Sequence, residues 1–534
     1  MKALRFTCLA LALVAPALAA ASVTPAVDPK PSSSFGTSID VRVVNVEAVV
    51  TDRRGNRIAG LSAADFRLLV DGKEVPVDYF TEVVEGEMAA PPVEEGAPAA
   101  AASSAPGGKV GTSYLVFIDE SFSIAAQRDV VLQRFIRDLK RLRAGDRMAV
   151  VAFDGRKINL LRGWTEDREA LRRILAQAQS RPSQGIARLA MRRTEGAVGD
   201  LIQDGGAAFV LYAEVESAAA AAAAAMRGIS TPPGRKVFLL LSGGWPLFSG
   251  EHLIADPLRE IPSAFYTPRP EELFEPVTDT ANLLGYTIYA VDVPGLDPES
   301  TWSDARSSGA TNHGFITSDW ERGTHATLEF LAGETGGKAV LNSARLNAFE
   351  RVEADTRTYY WLGFTPQWRA DGKRHDIRVE VRRPGARVRA RSGFSDLSRE
   401  AEAQLQTESL LLFGGEEGER RLRVRAGEPR RAGLWKMELP VILEIPASAL
   451  TPLPADGGYE VQATLSMGAL DRWGERTRLA SVPLRLTLPA APGPGVYARY
   501  ETVLRLPKGP QRLVFSVEDA TGGGRAWAEV DVEP

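Results

Sequence analysis

Residues 113–123 read Ser-Tyr-Leu-Val-Phe-Ile-Asp-Glu-Ser-Phe-Ser. Tyr114–Ile118 is an unbroken apolar run, so a strand here must be covered on both faces, which favours a parallel sheet over an antiparallel one. The run ends in carboxylates and leads into a segment where Val131, Phe135, Leu139 and Leu142 recur at helical spacing. The same alternation continues downstream. Apolar strands are expected at RMAVVAF (147–153), KVFLLLSGG (236–244), YTIYAVDVPG (286–295) and KAVLN (338–342), with a short edge strand at INLLR. Helices are expected from Thr165 to near Ala178, over a long region ending at Arg227 that includes the alanine run 218–225, and over THATLEFLAGE (324–334). Strands separated by helices across 113–355 mean a mainly parallel sheet with helices on both faces.

The flanks have a different period. IDVRVVNVEAVVTD (39–52) is Val-rich with partial alternation, and FRLLVDGKEVPVDYF (66–80) carries the hairpin dipeptide Asp71-Gly72. After residue 357, TYYWLGFTP, HDIRVEVRR and VRARSGF give three further strands. Segments 38–84 and 357–395 are expected to pair into one small sandwich from which 113–355 emerges as an insertion. Residues 85–110, almost free of large apolar side chains, read as a flexible linker. A polar connector at 396–416 and short alternating strands over 418–534 complete the chain, the latter as a separate β-sandwich. The fold class is α/β plus β, and 534 residues suit three or four domains.

Composition narrows the function. A net charge of -4 gives no electrostatic reason to expect nucleic acid as a partner. One Cys and four His exclude zinc ribbons, cysteine-held clusters and disulfide scaffolds. His252, His313, His325 and His375 show no i, i+4 pairing, and no Gly-x-Ser-x-Gly elbow occurs. Lys2 and Arg5, the apolar run Cys8–Val14, and Ala17-Leu18-Ala19 read as a signal peptide over 1–19. No later stretch is long and apolar enough to span a bilayer. The expected location is secreted or periplasmic.

Asp119, Ser121 and Ser123 place one carboxylate and two hydroxyls on the loop after the first sheet strand. These are hard oxygen ligands of the kind that suit Mg²⁺ or Mn²⁺. The plainer alternative makes Asp119 a helix cap and the serines surface residues. Glu334-Thr335-Gly336-Gly337-Lys338-Ala339 lacks Walker spacing and reads as a glycine turn after a helix. Residues 245–276 form an insertion carrying Trp245, Phe248, Phe265, Tyr266 and Phe274, either a partner-binding loop or a self-anchored one. RRPGARVRARSGF reads as a strand with one solvated basic face.

Taken in order, VVTDRRGNRIAGLSAADFRLLVDG, YLVFIDESFSI, PPGRKVFLLLSGGWP, ANLLGYTIYAVDVPGL, FLAGETGGKAV, YYWLGFTPQ and HDIRVEVRRPGARVRARSGF resemble secreted bacterial proteins with a von Willebrand factor A-related domain, an Acidobacteria-type family. The resemblance covers about residues 38–395. It implies a Rossmann-like von Willebrand factor A domain with a metal-ion-dependent adhesion site at Asp119, Ser121 and Ser123. Residues 418–534 resemble an immunoglobulin- or fibronectin-like module more loosely. The sequence departs from the family pattern at Gly243, which stands where a second Asp is expected, and in the loop expected to carry a Thr. Thr194 and Ser183 are the candidates there, and Asp292 is a candidate replacement carboxylate. Mg²⁺ or Mn²⁺ is therefore expected to bind weakly or not at all. The expected function is non-enzymatic protein interaction or adhesion, with a protein ligand or cell-envelope component as partner. A structural envelope scaffold is the alternative, and a hydrolase using Ser121 or Ser242 the third reading.

Overall fold

The computed structural model describes residues 43–89, 108–185, 206–229, 234–245, 270–293, 313–411 and 422–533, the last two with short internal gaps. Residues 1–19, read above as a signal peptide, and Thr194, Phe248, Phe265 and Tyr266 lie outside the described residues. The described chain is rich in strand, distributed over several sheets.

The N-terminal strands are β1 (Val44–Thr51), β2 (Phe66–Val70), β3 (Lys73–Val75), β4 (Tyr79–Val84) and β5 (Glu87–Met88). The central region contributes β6 (Thr112–Asp119), β7 (Arg147–Phe153), β8 (Ile158–Thr165), β9 (Arg235–Ser242), β10 (Tyr286–Asp292) and β11 (Ala339–Val340). Its helices are α1 (Ala125–Asp138), α2 (Arg168–Gln179), α3 (Gly206–Gly228), α4 (Pro270–Leu284), α5 (His313–Glu334) and α6 (Ala348–Thr356). The six central strands pair in the order β11-β10-β9-β6-β7-β8. All pairs are parallel except β7 with β8, the antiparallel edge. All eight residues of β6 are buried, as an unbroken apolar strand between two helical layers requires.

Alternate β6 residues feed the two cores. Tyr114, Val116 and Ile118 pack with Val131 and Phe135 of α1, Leu171 and Leu175 of α2, and Phe349 of α6. Leu115 and Phe117 pack with the alanines of α3, Val277 of α4 and Leu331 of α5. The alanine run is buried from Ala221 to Ala225, so its small side chains let α3 lie close to the sheet. The apolar period that begins in α1 runs on through a 3-10 turn at Leu139–Arg141, so the regular α-helix ends earlier than its periodicity suggests.

Strands β12 (Tyr359–Phe364), β13 (Arg374–Val381), β14 (Arg387–Arg389) and β15 (Gly393–Ser395) return to the N-terminal ones. One sheet runs β14-β1-β12-β4-β5 and another β15-β13-β2-β3. Val46 stands opposite Leu362, and Leu68 opposite Val379. Both sheets contribute to one core that includes Val46, Val50, Phe66, Leu68, Tyr360, Leu362 and Ile377. β13 alternates exposed and buried residues, the mark of an antiparallel strand with one wet face. The stretch read as a linker starts as ordered chain: β5 pairs with β4 through a turn at Glu85 and Gly86, and the N–H of Val110 donates to the Gly86 carbonyl at 2.8 Å. That hairpin satisfies backbone groups that composition alone left unassigned; residues 90–107 lie outside the described residues.

The C-terminal region forms two further antiparallel sheets around a core with Leu439, Val441, Leu443, Val461, Leu465, Leu513 and Phe515. Leu410 and Leu411 of the connector pack on Val514 and Trp527 of that region.

Candidate functional site

From β6 the chain passes to β7 and β8 on one side; β9, β10 and β11 follow on the other. The switch in direction falls between β6 and β9, and the crevice beyond their C-terminal ends is where open α/β sheets bind ligands. Asp119 ends β6 and Ser242 ends β9. The sequence therefore places its candidate carboxylate at the topologically favoured position.

The carboxylate is saturated by the protein itself. Asp119 Oδ1 accepts the backbone N–H of Ser121 at 3.0 Å and of Phe122 at 3.1 Å. Asp119 Oδ2 accepts the Ser242 hydroxyl at 2.7 Å and the Trp245 indole N–H at 2.9 Å. The Ser242 oxygen in turn accepts the N–H of Gly244 at 3.2 Å. Asp119, Ser123, Ser242 and Trp245 are each 0% exposed. Burial pushes the Asp119 carboxyl above its ordinary value, while the hydrogen bonds from Ser242, Trp245, Phe122 and Ser121 pull the other way.

Trp245 is locked from behind. Its ring stacks on Phe274 with centroids 5.8 Å apart, and its carbonyl accepts the Thr327 hydroxyl at 2.6 Å. Gly244 supplies the turn, with φ of 88° and no room for a side chain: a Cβ there would lie 2.5 Å from Thr324 Cβ. Thus Trp245 and Phe274 of the aromatic-rich insertion are buried parts of the core rather than open contact surface. The adjacent Glu120 is buried too. Arg181 grips it with Nε–Oε1 at 2.6 Å and Nη2–Oε2 at 3.0 Å, which anchors the loop after α2 against the end of β6.

The remaining candidates fall as follows. Ser121 lies in the same buried loop. Ser123 Oγ has no hydrogen-bond partner among the described residues, whereas its carbonyl accepts the Ser183 hydroxyl and, at 3.1 Å, the Gly185 N–H. Ser183 is thereby a structural tie to the loop. Asp292 ends β10 opposite Ser242, and His325 Nε2 lies 3.6 Å from its Oδ2. Among the described residues no group of three His, Cys, Asp or Glu side chains could hold a metal ion. The arrangement does not fit a hard divalent cation: of the two carboxylates at the loop, Asp119 has its lone pairs occupied by four protein donors and Glu120 is paired with Arg181. The residues that sequence reasoning missed are Ser242 and Trp245 as donors. The one local signal was the Gly243-Gly244 pair, which turns the chain back over the end of β9.

No protein-family model matches the sequence, and no curated protein does. Among solved structures, the chain is similar to the PilB minor pilin from Streptococcus sanguinis, with 9% identity over 60% of this chain and 87% of that one, and a TM-score of 0.26. It is similar to the vWF domain of the type V pili tip protein Mfa5 from Porphyromonas gingivalis, with 13% identity over 46% of this chain and 94% of that one, and a TM-score of 0.23. A third neighbour is the pilus adhesin SpaC from Lactobacillus rhamnosus GG in its open conformation, with 7% identity over 88% of this chain and 56% of that one, and a TM-score of 0.28. At these identities and TM-scores the likeness carries no weight for function.

Proposed function

We propose that the chain is an exported, non-enzymatic protein-interaction protein whose von Willebrand factor A-like central domain is displayed by a small β-sandwich and followed by an immunoglobulin- or fibronectin-like module. In this reading the interaction face is the rim around the β6 and β9 ends, and it works without a bound cation. The observation that carries the reading is the Asp119 cluster at the switch point, where indole and hydroxyl donors stand against the carboxylate. The Asp119 carboxylate is spent on holding the loops. The hydrolase reading draws no support from this geometry, because Ser242 is fully buried and its hydroxyl is committed to Asp119.

The rim includes the exposed turn residue Arg156, which follows β7. Binding of envelope fractions to the immobilised mature chain, measured by surface plasmon resonance in EDTA, tests the proposal. Saturable binding is expected in the wild type. Arg156→Glu should abolish it, and Lys436→Glu on the distal sandwich should leave it unchanged. Binding that needs Mg²⁺ would restore a cation-dependent site. No binding, or equal response of both variants, would favour the envelope scaffold.

A further inference from the structure

The opposite, N-terminal end of the parallel sheet faces the small sandwich across a seam, and the seam holds a partly open cavity of about 130 Å³. Its walls include Glu47 of β1, Arg235 and Lys236 at the start of β9, Tyr286 at the start of β10, and Arg391 between β14 and β15. One water needs only about 10–15 Å³ by a comparable measure, so the space takes a larger guest.

The charges on these walls do not balance. Arg235 is buried, its Nε lies 3.1 Å from Glu47 Oε2, and its guanidinium sits 4.1 Å from the centroid of the Tyr359 ring. Glu47 is the only lining carboxylate among the described residues; it is ion-paired with Arg235, although neither its Oε2 nor Arg235 Nε makes a hydrogen bond among the described residues. Lys236 and Arg391 are left over. Lys236 Nζ stands 5.9 Å from the centroid of Tyr286 and has no carboxylate within ion-pair distance among the described residues. Arg391 spends its two Nη groups on the carbonyls of Asn282 at 2.7 Å and Asn45 at 2.5 Å, and its Nε has no partner. The Tyr286 hydroxyl is a second buried donor without a partner among the described residues; the residue is 2% exposed. Burial lowers the affinity of both Lys236 and Arg391 for their protons, so Glu47 alone does not compensate them. Arg391 and Tyr286 each bring a buried donor without a partner among the described residues, and the half-buried Lys236 lines the same cavity, a set that calls for an acceptor.

We propose that this seam cavity binds a small oxyanion, a carboxylate or a phosphate group, held by Lys236, Arg391 Nε and the Tyr286 hydroxyl. The guest bridges the sheet and the sandwich, since Lys236 and Tyr286 belong to one and Arg391 to the other. The site is distinct from the rim around Asp119 and stands whether or not that rim binds a partner.

The experiment uses the full mature chain. Thermal unfolding and calorimetric titration are followed in sodium acetate and in sodium phosphate, each against sodium chloride at equal ionic strength. A saturable rise in unfolding temperature with one of the two oxyanions, absent with chloride, is expected; which salt produces it tells carboxylate from phosphate. Lys236→Met keeps the aliphatic stem and should weaken that binding at least tenfold. Tyr286→Phe removes a hydroxyl with no partner among the described residues, so it should fold like the wild type and bind several-fold more weakly. No saturable oxyanion effect in the wild type means that water fills the cavity and overturns the proposal, as does equal binding by both variants and the wild type.

Discussion

The two ends of the same strand, β9, solve opposite electrostatic problems. At its C-terminal end Ser242 helps to surround one carboxylate with neutral donors until no lone pair is free. At its N-terminal end Arg235 and Lys236 enter a seam where cations and hydroxyls outnumber their acceptors. The carboxylate at the first end is fully met, although the neighbouring Ser123 hydroxyl is not, and the second end leaves charged donors incomplete. The carboxylate that looks chemically active in sequence is therefore not the place where unspent charge remains. Burial makes the distinction energetic, because an unmatched buried polar group costs far more than a matched one gains.

The largest effect is expected at the closed end. Asp119→Ala removes the acceptor for two backbone N–H groups, the Ser242 hydroxyl and the Trp245 indole at once. Several buried donors without partners should cost on the order of 4 kcal/mol, read as a lower urea midpoint. A midpoint within experimental error of the wild type would mean that the cluster is open to water. Calorimetric titration with Mg²⁺ or Mn²⁺ should give no heat of binding in the wild type, and a one-site isotherm that vanishes in Asp119→Ala would contradict the closed reading.

A second comparison lies within the seam itself. Asp355 of α6 is the counterpart of the incomplete cavity: Arg57 reaches it at 2.8 Å, Lys338 at 2.9 Å and the Tyr289 hydroxyl at 2.6 Å, and Arg389 also contacts it. Burial works to raise its pKa, yet Arg389 and Arg57, with the hydrogen bonds from Tyr289 and Lys338, hold it well below the ordinary 3.8. The folded state thus binds this proton less readily than the unfolded chain. Its stabilisation is present above about pH 3.8 and is lost as pH falls toward the folded value. Asp355→Asn should cost roughly 3 kcal/mol at neutral pH, because Arg57 and Arg389 lose their shared anion. The variant should also show a shallower acid dependence of the unfolding temperature. An unchanged acid slope would assign acid sensitivity to other carboxylates.

The legible parts of this structure are those set by period. Val131, Phe135, Leu139 and Leu142 all enter the core, and the apolar run before Asp119 is buried on both faces, because side-chain direction follows directly from helix and strand geometry. Asp119 at a strand end was readable for the same reason. Its partners were not. The Trp245 indole comes from 126 residues away, and nothing local distinguishes an indole aimed at a carboxylate from one exposed on a loop. Arg57, beyond the end of β1, and Asp355 of α6 meet across a sequence separation of 298, which no local pattern marks. Likewise Lys236 and Arg391 share a cavity only once the sandwich closes against the sheet.

Two conservative substitutions, each deleting one polar group from a buried aromatic ring, give the finest test of the contrast. Trp245→Phe removes the indole N–H from Asp119 but retains an aromatic ring against Phe274. It leaves one carboxylate lone pair unmatched and should destabilise the fold by about 1–3 kcal/mol. Tyr286→Phe removes a hydroxyl that has no partner among the described residues and keeps the ring against Phe238. In chloride buffer it should be neutral or stabilising by up to about 1 kcal/mol, since a desolvation cost disappears and no hydrogen bond is lost. In saturating oxyanion the sign should reverse, because the wild type alone then gains the hydroxyl contact, and a ligand that binds only the native state adds to its stability. Opposite signs for the two substitutions in chloride would establish that the closed end of β9 is satisfied and its other end is not. Equal losses would mean that the Tyr286 hydroxyl already has an acceptor, and the asymmetry between the two ends of the sheet would vanish.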